Sequence, residues 1–370
     1  MPCQVTIDAR MLGYSGIGTY LKNLLENYAR MDCDFSFRLA CPRQESVREF
    51  GCDRFTWVRA DAPIYSLREQ WEILRLAQGA DVLHCPHYNI PYFYRGPMVV
   101  TIHDVNHLVM RQFLPSRLAY YYARFMMRAA GRHATRVITD SQHSMQLIRA
   151  HLSVPEEKIR VIYLGLGDRF QGTDVSPDAA RLQKFGICKP YVLYVGNIKP
   201  HKNIQGLLRA FSLLNPALRN SHHLVIVGKK EDFQTYLHQL AEELRIATQI
   251  VFTDYVTDDD LRNFYAGASV LVLPSFTEGF GLPALEAMAN GVPVIASNSS
   301  SLPEVVGSAG ILVDPKETGS IANAITQVLS DPARHRQLVE RGKERAQLFS
   351  ARKAATEHLE VLREVARASA

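Results

Sequence analysis

No run of about 18 apolar residues occurs anywhere in the chain, so nothing in it reads as a bilayer span. The six cysteines (Cys3, Cys33, Cys41, Cys52, Cys85 and Cys188) are scattered, with no Cys-x-x-Cys pair. That spacing suits neither a zinc site nor a disulfide framework and fits a reducing compartment. The opening MPCQVTIDAR lacks the basic, apolar and small-residue regions of a secretion signal and runs straight into a strand. The expected location is therefore cytoplasmic. No internal repeat is visible. Charge imbalance is absent from the second half: residues 1–172 hold 21 Lys+Arg against 16 Asp+Glu, whereas the remainder balances at 21 against 21. The net charge of +5 is thus N-terminal, as expected either of a half that faces anionic lipid or an anionic acceptor, or of a mildly basic solvated surface.

With 370 residues, the chain is too long for one ordinary core and suits two domains. Strand-like runs alternate with helix-length segments throughout. The first half offers 4–8, 35–40, 81–84, 98–102, 136–140 and 159–163; the second offers 191–195, 223–227, 250–252, 269–273, 293–297 and 311–313. Many are apolar and β-branched without alternation, the mark of parallel strands buried on both faces. The expected class is α/β, with two doubly wound domains facing one another across a cleft. The boundary falls in the polar segment Gly167–Pro177. This predicts a domain over 1–172, another over 173–350, and a final helix over 351–370 available to pack back on the first.

The richest segment is SVLVLPSFTEGFGLPALEAMANGVPVIAS, residues 269–297. A buried strand ends at Pro274, a loop with Gly279 and Gly281 follows, and Pro283 reads as the first residue of a helix that runs over 284–290 and stops at Gly291. Amides near Gly281–Pro283 would then present a helix N-terminus to a phosphate or sugar hydroxyl without a metal. Glu286 sits in an otherwise small and apolar helix, where a carboxylate is costly unless it binds something; a ribose diol is a suitable partner. A solvated helix glutamate is the bland alternative. Gly16 and Gly18 follow the first strand, and the 16–19 amides either line a ligand or make a simple turn. His103 follows a strand and precedes Asp104, while His84 and His87 end another. Two histidines three apart can ligate a metal, but no third ligand cluster accompanies them.

Taken together, these segments resemble the family 4 retaining glycosyltransferases of the GT-B type. Glu278 and Glu286 in EGFGLPALEAMANGVPVIAS resemble that family's glutamate pair. DARMLGYSGIGTYLKNLL resembles its glycine-rich opening, VVTIHDV its active-site histidine segment, and VITDSQHS the last strand of its first domain. VGNIKPHKNI resembles its phosphate-binding lysine loop, and FTDYVTDDDLRNFYAGASVLVLPS its base-binding segment.

The resemblance implies a GT-B fold and catalytic roles for His103, Lys202 and Glu278. It implies a donor site at Gly16, Gly18, Asn197, Lys202, Tyr255, Val256, Glu278, Gly279, Phe280, Gly281, Leu282 and Glu286, and acceptor contacts at His84, His87 and Asp104. Asn197 stands where the family commonly has an arginine, and Lys199 is the other cation on that loop. The implied reaction moves a mannose-like hexose from a GDP-sugar, with retention, to a saccharide or lipid-linked saccharide in cell-surface polysaccharide assembly. No Asp-x-Asp of the metal-dependent transferase kind is read. Asp258–Asp260 is taken as helix N-capping, and neither metal nor cofactor is expected. Competing readings are another GT-B sugar-nucleotide enzyme, such as a phosphorylase or epimerase, and a non-catalytic nucleotide-sugar-binding partner. Residues 116–136 carry five arginines among aromatic and aliphatic residues. They suit either a helix on the inner membrane face or one packed on the sheet with a basic outer face.

Overall fold

The computed structural model describes residues 2–111, 116–167, 170, 176–229, 233–254 and 256–368. The chain forms two compact units: Met1–Gly165 together with Ser350–Ala370, and Leu166–Phe349. The chain thus passes from the first unit to the second between Gly165 and Leu166. The expected edge at 172/173, and most of the 167–177 segment around it, lies outside the described residues.

Unit 1 is built on seven strands: β1 Cys3–Asp8, β2 Phe35–Cys41, β3 Phe55–Arg59, β4 Val82–Cys85, β5 Met98–Thr101, β6 Arg136–Thr139 and β7 Ile159–Val161. All pair in parallel, in the order β3-β2-β1-β4-β5-β6-β7. Unit 2 holds β8 Tyr191–Val195, β9 His223–Val227, β10 Ile250–Asp254, β11 Val270–Leu273, β12 Val294–Ser297 and β13 Ile311–Val313. These are also parallel, in the order β10-β9-β8-β11-β12-β13. Both sheets run outward from a central strand and then reverse, the doubly wound arrangement of two Rossmann-like units. Each therefore has a switch point, at β1/β4 and at β8/β11, where connections leave to opposite faces and a crevice opens at the carboxyl ends.

The apolar runs have the burial their composition demands: every residue of β4, β5, β9, β11 and β12 is buried. Two apolar layers cover the faces of the first sheet. One joins β1 and β2 to Leu21, Leu25 and Tyr28 of helix Ser15–Arg30 and to Leu359, Leu362 and Val365 of the last helix, Ala351–Arg367. The other joins β4–β6 to Met126, Met127 and Ala130 of helix Arg117–His133.

The sequence reading missed β3. It is an edge strand with only Phe55 buried, and an exposed edge carries no continuous apolar run to betray it. A second correction concerns Asp258–Asp260. They fill the first turn of helix Asp258–Gly267, while Thr257 is its cap: the Thr257 hydroxyl accepts from Asp260 N at 3.1 Å and donates to its carboxylate at 2.7 Å.

Candidate active site

In unit 2 the loops after β8 and β11, the two strands at the switch point, are bound to each other. Asn203, 3% exposed and in the left-handed region at φ 56°, donates from its amide to Pro274 O at 3.1 Å and Pro315 O at 2.7 Å. Phe276 N donates to His201 O at 2.9 Å. On this frame Lys202 Nζ meets Glu278 Oε2 at 2.6 Å, with side chains 16% and 14% exposed. The other Glu278 oxygen accepts from Ser275 at 2.8 Å, and its backbone N–H donates to Ser300 Oγ at 3.0 Å. Ser301 Oγ donates to Glu278 O at 3.0 Å and to Phe280 O at 2.9 Å. The 275–281 loop is thereby held from both sides, with a cation and a carboxylate fixed at its surface.

Gly281 caps helix Leu282–Ala289 at φ 110°, and a Cβ there would stand 2.6 Å from Leu302 Cδ2. Only glycine satisfies both the dihedral and the approach. The helix starts at Leu282, so Pro283 is its second residue and not its first. Proline has no N–H, so of the amides expected over 281–283 only those of Gly281 and Leu282 can serve an anion. Glu286, 7% exposed, accepts from the Tyr265 hydroxyl at 2.7 Å. Its burial among small residues thus has a protein partner. Asn197 lies half-buried in the loop after β8, and its carbonyl accepts from Tyr194 at 3.1 Å. Lys199 on the same loop is exposed. Gly279 and Val256 are half-buried and Phe280 is buried. Tyr255 lies outside the described residues.

In unit 1, His103 stands just past β5 and Asp140 just past β6. His103 Nδ1 and Asp140 Oδ2 are 2.6 Å apart, and Nε2 lies 3.0 Å from Pro86 O. The Pro86 carbonyl can only accept, so Nε2 carries a proton, and Nδ1 shares a hydrogen bond with the Asp140 carboxyl. Burial alone would lower the histidine pKa. The Asp140 charge and hydrogen bond, aided by Asp104 and the Pro86 carbonyl, outweigh it and hold His103 above its ordinary value. Asp140, 2% exposed, is itself pushed up by burial, against the pull of His103. Tyr20 lies edge-on to the His103 ring at 4.8 Å. Asp104 accepts from Asn106 N at 2.8 Å and so starts the turn that follows. His87 is half-buried, against Tyr88 at 4.0 Å with Nδ1 on Asn89, and burial drives its pKa down to about 3.

His84 departs from expectation. It lies inside β4, fully buried, with Nε2 on Thr101 Oγ1 at 3.2 Å, and burial lowers its pKa to about 3. It is a core residue and faces no loop. Gly18 departs as well. Its amide donates to Tyr14 O at 2.7 Å within the first turn of helix Ser15–Arg30, so it is unavailable to a ligand. Gly16 opens the same helix. An Asp-x-Asp spacing does occur at Asp32–Asp34, but immediately before β2, at the amino end of the sheet, remote from the crevice. Among the described residues no group of three or more His, Cys, Asp or Glu is placed to hold a metal ion.

The reading missed Asp140, Asn203, Ser275, Tyr265 and the buried Arg10. Arg10 meets Asp8 at 2.6 Å and Glu69 at 3.1 Å beyond β1. Asp140 and Asn203 did sit in the quoted segments VITDSQHS and VGNIKPHKNI. For Asp140 the signal that could have found it is position, a polar residue directly after an apolar strand; Asn203, in the turn well past β8, carries no such signal.

Two family models match the chain: Glycosyltransferase Family 4 over residues 14–167 and Glycosyl transferases group 1 over residues 182–345. The O-antigen chain mannosyltransferase B of Escherichia coli is 34% identical over 270 residues, covering 73% of this chain and 70% of that one. The serotype-specific mannosyltransferase WbdA of Escherichia coli is 33% identical over 211 residues, 55% of this chain but only 26% of that longer protein. Among solved structures, Anabaena Alr3699/HepE in complex with UDP-glucose superposes with a TM-score of 0.80 at 19% identity, covering 98% of this chain and 99% of that one. That likeness is one of fold.

Proposed function

The chain belongs to the family 4, group 1 glycosyltransferases of GT-B fold, and from that premise we propose that it transfers mannose from a GDP-sugar, with retention, to a saccharide or lipid-linked saccharide during cell-surface polysaccharide assembly. The observation that carries the donor side is the Lys202–Glu278 pair at 2.6 Å on the switch-point loops. It offers a cation for a departing diphosphate and a carboxylate for sugar hydroxyls on one rigid frame. The mannose assignment rests on the similarity to the Escherichia coli mannosyltransferase.

In this reading the bond between the anomeric carbon and the β-phosphate oxygen breaks first. The Lys202 ammonium and the Gly281 and Leu282 amides take up the charge that grows on the diphosphate. The acceptor hydroxyl bonds to the anomeric carbon on the same face, and its proton passes to the departing phosphate oxygen. Glu286 takes the ribose hydroxyls. His103 is the unit 1 residue read as contacting the transferred sugar. The step asks for no divalent ion.

The test is a thermal-shift screen of GDP-mannose, UDP-glucose and other nucleotide sugars, followed by turnover with a saccharide acceptor and proton NMR of the new anomeric centre. Stabilisation by GDP-mannose above the others, and an axial product, are expected. A preference for UDP-sugars overturns the donor, and an inverted product overturns the stereochemistry. Loss of most activity in excess chelator overturns the metal-free step.

A further inference from the structure

The serines at 299–301 follow β12 and have no part in the transfer as proposed. Ser299 Oγ stands 3.3 Å from Phe276 O, and the next two serines hold the backbone of Glu278 from both of its ends. A hydroxyl has one proton to give and lone pairs to accept with. Ser300 gives its proton to Ser299 O at 2.7 Å, which leaves Oγ as the acceptor for Glu278 N–H at 3.0 Å. The backbone that brings it there lies in the left-handed region, at φ 57°, which residues other than glycine seldom adopt. Strain of this kind persists only where the surroundings hold it, and it gathers at functional sites.

Ser301, fully buried, has the opposite role. Its single proton is shared between Glu278 O at 3.0 Å and Phe280 O at 2.9 Å. In a trans peptide the N–H of one residue points opposite to the C=O of the residue before it. Two carbonyls that converge on one hydroxyl therefore turn the peptides 278–279 and 280–281 the same way. The Gly281 N–H accordingly points away from Ser301. Leu302, the next residue, closes on the same glycine, where a Cβ would stand 2.6 Å from Leu302 Cδ2. Ser301 and Leu302 thus fix both the rotation of the 280–281 peptide and the place of Gly281. The sense of that rotation matters, because a reversed peptide would offer an anion the Phe280 carbonyl in place of an N–H.

We propose that Ser300 and Ser301 are positioning residues of the donor site. Ser300 fixes the backbone of Glu278. Ser301 holds the Gly281 amide in the sense that meets negative charge on the departing diphosphate, preorganised before the bond breaks. Neither serine touches the substrate in this arrangement. The inference rests on the reading of Lys202, Glu278 and Gly281 as the diphosphate cradle.

Ser301→Ala removes the shared proton, whereas Ser301→Cys keeps a similar size with only a weak donor. Calorimetry with GDP and GMP, or with UDP and UMP if the wild type binds those, separates the β-phosphate from the rest of the nucleotide. S301A is expected to bind the diphosphate on the order of tenfold more weakly, the worth of one hydrogen bond to a charged group. Its affinity for the monophosphate should stay near wild type. Its turnover should fall by more than its KM rises, because charge on the leaving group is greatest in the transition state. S301C should fall between S301A and wild type. S300G keeps the left-handed turn and discards the hydroxyl; it should slow turnover through Glu278 and leave the ratio of the two affinities nearly unchanged. Melting curves check that each variant folds, and S301C carries the comparison if S301A does not. Equal losses of diphosphate and monophosphate affinity would make Ser301 a structural residue only and overturn the proposal. So would wild-type diphosphate affinity and turnover in S301A, or wild-type turnover in S300G. If the wild-type protein binds neither GDP nor UDP, the donor reading itself fails, and this inference with it.

Discussion

The His103–Asp140 contact is an ion pair whose two members are both shielded from water, and its titration has a definite sign. His103 is raised from 6.5 because Asp140 outweighs burial. The stability this contributes is fully present below about pH 6.5 and is lost as pH rises through the folded value. Asp140→Asn removes the charge and leaves the burial, so the His103 pKa should fall below the ordinary value. NMR titration of the His103 ring checks this, and an unmoved pKa would assign the shift to another group. Lys202 and His103 lie in different units, and their substitutions should separate. Lys202→Ala is expected to cost about 1.5–3 kcal/mol of nucleoside diphosphate affinity, the worth of a hydrogen bond to a charged group, and to slow turnover. His103→Ala should cut turnover with diphosphate affinity near wild type. Equal losses of affinity in calorimetry would undo that division. His84 shows why single residues are hard to read. The sequence reading makes His84 the last residue of its strand, and the acceptor role assigned to it needs the side chain to reach the loop; inside β4 it points instead into the core, since successive side chains alternate between faces of the sheet.

At the scale of elements, the 200–203 turn and the 274–281 loop are one mechanical piece because Asn203 spans them. Asn203→Ala leaves Pro274 O and Pro315 O without their donor and places an ordinary side chain at φ 56°. A loss of about 2–4 kcal/mol is expected from the two unsatisfied groups and the backbone strain. Chemical denaturation measures the stability and calorimetry the donor affinity. Stability near wild type would mean that the turn holds itself. The apolar runs β4, β5, β8, β9, β11 and β12 were legible in the sequence because both of their faces are covered. The edge strand β3 was not, since an edge is recognised only once its neighbour β2 is in place. The helix start at Leu282 was missed by one residue, because Pro is tolerated at either early position and only the φ of Gly281 decides between them.

For the whole molecule, two of the three buried histidines among the described residues, His84 and His358, lie in unit 1, while His223, also lowered by burial, lies in unit 2. His84 and His358 are 0% and 1% exposed, and burial depresses both pKa values far below 6.5. A base depressed on folding takes up its proton more readily in the unfolded chain. Stability should therefore fall as pH drops below about 6.5, by about 1.4 kcal/mol per pH unit for each histidine held neutral. His103 acts in the opposite sense but is a single group. Unit 1 is expected to lose more stability than unit 2 between pH 7 and pH 5, and hydrogen exchange at the two pH values follows the units separately. Equal protection loss in both units would refute the assignment.

The sequence by itself determined two parallel α/β units and the family, because covered strands must be apolar throughout and because loops after strands carry the binding groups in any open sheet of this kind. Lys202 and Glu278, separated by 76 positions, were both legible as candidates, yet only the fold brings their side chains to 2.6 Å. The same holds for the Asp140 partner of His103 and for the histidine that belongs to the core. Local pattern reports which face an element buries. Which distant side chains share that face depends on strand order and packing, and these exist only in the folded chain.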